Sequence, residues 1–307
     1  MRSLFRSLRR RSGSSAPWSP EKYSAFKEER LRPATDLLAR VPALASRPSV
    51  LDVGCGDGTP AVALLERFAD AKLHCIDSSS DMLSAARKTL AGRSDVSFAE
   101  VDFERHFARD SPQAVYDLVF ANASLHWLEG DLLDLLKRIL GRVRPAGCIA
   151  MQIPDTRAQP SHALLAEVAR HVDPSGPAAA MRVASNTTAP FEYCDALLGP
   201  LAASVDTWST TYTMVLDGGE DAVFDFVRAT AMRPFLAALG GEGSEPARAF
   251  EAEYRRRVSR AYPQRSDGTT LFPFTRLFLV ATRPSLVDVY SEYMEYHNHQ
   301  LDKGWKS

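Results

Sequence analysis

The sequence predicts a doubly wound α/β fold, a mostly parallel sheet with helices on both faces, on three observations. Strand-like and helix-like apolar patterns alternate through the first half of the chain. The first strand runs straight into a glycine-rich turn, Val50-Leu51-Asp52-Val53-Gly54-Cys55-Gly56-Asp57-Gly58-Thr59. The next two strands each end on an acid, Asp77 and Asp102. With 307 residues, 45% of them apolar and 24% charged, the composition suits one large domain or a core with a sizeable insertion.

Taken in order, residues 1–17 carry five arginines and no acid. Leu4, Phe5 and Leu8 fall at helical spacing, which gives either a mitochondrial presequence or a disordered basic tail. The expected location is accordingly cytoplasmic or mitochondrial. The overall charge is −1, so the body of the chain is acidic; with no basic stripe, a nucleic-acid surface is not expected. The four cysteines form no C-x-x-C pair and read as free thiols. No apolar run reaches the length of a membrane span.

Trp18–Leu44 has a helical pattern that Pro48 ends. Strands are expected at Val50–Val53, Leu73–Ile76, Val96–Val101, Leu118–Ala121 and Ile149–Ile153, with helices at Ala61–Phe68, Asp81–Leu90 and Leu132–Val143 between them. Ser80 is placed to cap the second helix. Beyond Pro154 the pattern loosens. Ser161–His171 is helical, 173–190 reads as a loop, and Val205–Leu216 is a strand with Trp208, Thr210 and Tyr212 on one face. Glu220–Tyr262 is helical with a break near Leu239–Ser244, and Phe274–Thr282 is a last strand. The main domain is 18–285, with 157–195 and 217–268 as insertions capping the site and 286–307 as a C-terminal helix or tail.

The glycine spacing is G-x-G-x-G, whereas dinucleotide sites use G-x-G-x-x-G to place a pyrophosphate on a helix N-terminus. Asp52 before the loop and Asp57 within it disfavour phosphate and favour a cationic ligand. S-adenosylmethionine (SAM), with its sulfonium and ammonium, is such a ligand. Gly54, Gly56 and Gly58 would leave the backbone bare for it. Asp77, followed by Ser78 and Met82, can take both ribose hydroxyls; Asp102 and Phe103 can take the adenine amino group and ring. Asn122 and Ala123 end the fourth strand beside the methionyl moiety. His126 and Trp127 follow, placed to face a methyl acceptor. His297 and His299 on the tail do not make a metal site, and no metal is expected.

These motifs together resemble the class I SAM-dependent methyltransferases. Further stretches narrow the likeness: Trp18–Phe26, Glu29–Pro33, Ile76–Leu83, Phe120–Leu128, Met151–Asp155, Trp208–Tyr212, Phe226–Phe235 and Leu271–Phe278. From about Trp18 to Arg283 the chain is similar to the trans-aconitate 2-methyltransferase family; the basic first 17 residues, the 173–188 loop and the tail after Pro284 depart from it. The resemblance implies a Rossmann-like sheet of about seven strands, the last antiparallel. It implies esterification of a small anionic carboxylic acid, giving a monomethyl ester and S-adenosylhomocysteine. Two carboxylates of a tricarboxylate must be held while the third reacts. Arg233 is the first choice for that, with Arg228, Arg265 and Arg276 as the others, and Tyr212 and Trp208 as further acceptor contacts. Tyr23 is expected to close over the cofactor. Two alternatives stay open: another acid acceptor (a carrier-bound malonyl group or a terpenoid acid), or a methyltransferase-like assembly factor without catalysis. Oligomeric state is left open.

Overall fold

The computed structural model describes residues 27–108, 115–128, 130–181, 190–199, 201–291 and 294. Tyr23, residues 1–17 and His297 and His299 therefore lie outside the described residues. Seven strands form one sheet: β1 (Ser49–Val53), β2 (Lys72–Asp77), β3 (Val96–Glu100), β4 (Tyr116–Asn122), β5 (Val143–Pro154), β6 (Ser204–Leu216) and β7 (Thr270–Thr282). Their order is β3-β2-β1-β4-β5-β7-β6. The first five pair in parallel, and β7 runs antiparallel between β5 and β6. The order reverses between β1 and β4, so the carboxyl ends of those two strands flank the crevice where doubly wound sheets bind ligands.

One face of the sheet carries Leu51, Val53, Val119, Ala121, Ile149, Met151, Leu277 and Leu279. It is covered by α5 (Leu132–Leu140), which buries Leu132, Leu135, Leu136, Ile139 and Leu140. This spacing puts all five on one helical stripe. Asp131 starts that helix by accepting a hydrogen bond from the Leu133 amide. The opposite face carries Val50, Phe120, Ala150, Phe278 and Val280 under α1 (Lys27–Arg40) and α2 (Thr59–Arg67). Alternation along each strand thus sends Asp52, Asn122, Gln152 and Arg276 to this second face as well.

A third core lies beyond the sheet. Leu165, Val168 and Ala169 of α6 (Pro160–Val172) pack with Phe250, Tyr254 and Val258 of α10 (Glu245–Ala261) and with the ends of β6 and β7. The Tyr254 hydroxyl donates to the Ser161 carbonyl at 2.8 Å, tying the two helices.

Four expectations change. Ser79, not Ser80, caps α3 (Ser80–Thr89): Ser79 is extended and its Oγ accepts from the Met82 amide at 3.3 Å. The 220–262 helix breaks twice, because α8 (Ala222–Arg228) ends before Pro234 opens α9 (Arg233–Ala238), and glycines at 240, 241 and 243 with positive φ then separate α9 from α10. The loop expected over 173–190 contains a 3₁₀ turn at Pro177–Ala180. Finally, α7 (Pro190–Leu197), expected largely within the first insertion, buries Tyr193 and Leu197 in the first core. A four-residue helix, α4 (Phe103–His106), follows β3.

Candidate active site

The glycine loop leaves β1 with Gly54 at φ 68°, Gly56 at 56° and Gly58 at 80°, the left-handed region that side chains avoid. Gly54 and Gly56 serve different ends. A Cβ on Gly54 would fall 2.4 Å from the Ser124 Cβ, so glycine there lets the loop after β4 pass against the loop after β1. Ser124 is buried and its Oγ donates to the Val53 carbonyl, locking the two together. A Cβ on Gly56 would meet nothing within 4 Å. The space above Gly56 is a bay kept bare of side chains.

Acids line that bay. Asp77 accepts from the Gly56 amide through Oδ2 (3.0 Å) and from the Ser79 amide through Oδ1 (2.9 Å), which holds the β1 and β2 loops in register. Each carboxylate oxygen keeps a second lone pair. Ser78 beside it is exposed, and Met82 is half-buried on the first turn of α3. Asp52 is buried, and its Oδ2 has no partner. Burial, helped by the Asp77 charge, pushes its carboxyl up to about 8. An unpartnered buried acid beside a bare loop fits a cationic ligand, since an ammonium would supply both the missing partner and the compensating charge. Asp57 is occupied locally, accepting from the Thr59 amide at 3.0 Å.

Asp102 is exposed and caps α4, its Oδ1 accepting from the Glu104 and Arg105 amides. Phe103 packs partly against the first core beside it. At the end of β4, the Asn122 Oδ1 accepts from Gln152 Nε2 at 2.7 Å, and Ala123 stands at φ 53°. A left-handed alanine is strained and turns the chain sharply out of the strand. The 3₁₀ turn Leu125–Trp127 follows, with the His126 and Trp127 rings 4.8 Å apart and Trp127 55% exposed.

The structure thus gathers Asp52, Gly54, Gly56, Gly58, Asp77, Asn122 and Ala123 around the crevice between β1 and β4. The acceptor candidates are redistributed. Tyr212 is buried under α1 with Arg32 stacked on its ring at 5.2 Å, and its hydroxyl donates to Asp36 at 2.7 Å. A phenol has one proton to give, so the expected donation from Tyr212 to a substrate is already spent on Asp36. Trp208 stacks on Phe278 at 4.7 Å beneath the Arg40 guanidinium, a packing role. Arg228 is committed to Glu251 at 2.6 Å, and the exposed Arg265 pairs with Asp267 at 3.5 Å. Arg233, half-buried, opens α9 in the cap. Arg276 instead lies on β7 directly opposite Pro154, at the carboxyl end of β5.

Gln152 and His162 were not foreseen. Gln152 is the one polar side chain in the apolar run Ile149–Ile153 and is 1% exposed, a pattern visible in the sequence. His162 gave no such signal. Among the described residues no group of three or more His, Cys, Asp or Glu could hold a metal ion, and no helix is long and apolar enough to cross a membrane.

A mostly parallel seven-stranded sheet in this order, with a glycine loop after β1 and acids near the ends of β1 and β2, is the architecture of a class I SAM-dependent methyltransferase. A family model described as a methyltransferase domain matches residues 51–149. The trans-aconitate 2-methyltransferase of Methylobacterium nodulans is 40% identical over 268 residues, 87% of this chain and 99% of its own length. That of Methylobacterium radiotolerans is 41% identical over 277 residues, 88% and 100% of the two chains. The chain belongs to the trans-aconitate 2-methyltransferase family. Among solved structures, the YcgJ protein from Bacillus subtilis shares the fold at a TM-score of 0.51 with 13% identity, covering 83% of this chain and 99% of that one. Phosphoethanolamine N-methyltransferase 2 of Haemonchus contortus, solved in complex with SAM, does so at 0.50 with 14% identity, over 86% of this chain and 57% of that one.

Proposed function

We propose that this protein methylates a carboxylate of trans-aconitate, giving the monomethyl ester and S-adenosylhomocysteine. The observation that carries the reading is the similarity to trans-aconitate 2-methyltransferases over 87% of the chain. When bound, SAM supplies an electrophilic methyl group on a sulfonium. Asp52 is the partner for its ammonium, Asp77 with Ser78 for the ribose hydroxyls, and Asp102 with Phe103 for the adenine. The bare backbone at Gly56, in the loop that Gly54 and Gly58 allow to pack against Ser124 and Ala86, completes that half of the site with Asn122, Ala123 and the Met82 side chain.

The acceptor carboxylate is ionised at neutral pH, so no residue is required to remove a proton. Burial and the nearby Arg276 charge push the His126 imidazole down to about 3, which keeps it neutral and suited to donating a hydrogen bond. What the chain contributes is alignment of the acceptor oxygen with the methyl carbon, a positioning effect worth several kcal/mol. In this reading the helices α6 and α10, which Tyr254 ties together, serve as the cap that keeps water from that oxygen. The test is turnover: purified protein with SAM and single acids, scored by S-adenosylhomocysteine release. Turnover with long-chain or terpenoid acids in place of trans-aconitate would replace this acceptor assignment.

A further inference from the structure

We propose that Arg276, His126 and His162 form an acceptor subsite that holds a carboxylate other than the one being methylated, an inference that rests on the acid-methylating reading above. Three elements converge to build it. Arg276 and Phe274 project from the same face of β7, two residues apart, and the guanidinium lies 4.6 Å over the Phe274 ring. That contact seats the guanidinium against the ring face. His162, near the start of α6, packs against the same Phe274 ring at 5.9 Å and is oriented by Ser161 Oγ, 3.1 Å from its Nδ1. His126 comes from the turn after β4 and lies within electrostatic reach of both Arg276 and His162.

The His126 Nδ1 is shielded from solvent and has no hydrogen-bond partner. A buried ring nitrogen left unpaired is costly, and an arriving ligand atom relieves it. The chemistry of the cluster selects the ligand. One permanent cation stands beside two imidazoles that burial and Arg276 keep neutral, His162 at about 4. A guanidinium fork beside neutral imidazole N–H donors matches a carboxylate. The placement matches too, because Arg276 faces Pro154, two residues beyond the Gln152 that reaches Asn122 in the cofactor crevice.

The test varies the acceptor at saturating SAM, comparing trans-aconitate with crotonate, which keeps the unsaturated acid but has a single carboxylate. Arg276→Gln should raise the KM for trans-aconitate at least about 30-fold with kcat changed much less. Arg276→Lys should recover part of that loss. His126→Leu should raise the KM about tenfold, and His126→Asn, whose amide can take the place of Nδ1, should recover part. The kcat/KM for crotonate should change less than about threefold in every variant. Equal losses on both acids, or an unchanged KM for trans-aconitate, overturn the subsite while turnover by the wild type leaves the methylation reading standing. If the wild type turns over neither acid, the S-adenosylhomocysteine complex is titrated with trans-aconitate by calorimetry. Binding that Arg276→Gln abolishes upholds the subsite and removes the methylation reading; no binding by the wild type overturns both.

Discussion

Replacing Gly54 and Gly56 by alanine, one at a time, separates what the loop does for folding from what it does for the ligand. Both residues sit at positive φ, so each substitution strains the backbone by about 1–2 kcal/mol. Only Gly54 adds a clash, with its new Cβ 2.4 Å from the Ser124 Cβ, and relieving such overpacking costs about 1–3 kcal/mol more. At about 2–4 °C per kcal/mol, Gly54→Ala should melt about 2–12 °C below Gly56→Ala. The order inverts for ligand binding. SAM at a hundredfold excess over its Kd should stabilise the wild type by about 2.7 kcal/mol. Gly56→Ala should lose most of that rise, because its methyl group meets no protein atom and stands in the bay itself. Thermal melts with and without SAM read both quantities. A Gly56→Ala protein that keeps the full SAM-induced rise would refute the assignment of the bay, and equal melting of the two apo variants would refute the Ser124 contact.

Four other outcomes follow from the same geometry. Asp52 is held protonated in the folded chain up to about pH 8 but ionises near 3.8 when unfolded, so stability should fall as pH rises through that window, by about 1.4 kcal/mol per unit. Asp52→Asn should remove that slope in urea titrations at pH 6, 7 and 8; parallel profiles would count against it. His162, pushed down to about 4, acts in the opposite direction: the unfolded chain takes up a proton below about 6.5, and stability falls as pH drops toward 4. His162→Asn should flatten that acid limb by about one proton. Tyr212→Phe should cost about 1 kcal/mol in denaturant midpoint through the lost hydrogen bond to Asp36, and Ser79→Ala about the same through the lost α3 cap.

The sheet was readable because its signals are local. Five apolar strands, an acid at the end of β2 and a G-x-G-x-G turn each announce themselves within ten residues, and all five strands form where expected, four of them extended by pairing and β3 one residue shorter. The cofactor half of the site shares that origin, since Asp52, Asp77 and Asn122 sit at strand ends. The proposed acceptor half was harder to read because its residues come together across long separations. Arg276 stood among four arginine candidates with nothing in its neighbours to favour it. Only the antiparallel register of β7 against β5 brings it to Pro154, and only the packing of α6 brings His162 to Phe274. Tyr212 misled for the converse reason: its strand alternation was right, but its partner Asp36 lies 176 residues away on α1. The helix cap slipped by one residue because Ser79 and Ser80 are chemically identical and backbone geometry alone chooses between them.

The most direct test of the central claim is S-adenosylhomocysteine release from purified full-length protein given SAM and, separately, trans-aconitate, cis-aconitate, citrate, isocitrate and a long-chain acid. The account predicts turnover with trans-aconitate that exceeds the other acids and a product carrying one methyl ester. SAM binding with no methylation of any polycarboxylate would contradict it, leaving the fold and cofactor crevice intact and the acceptor wrong.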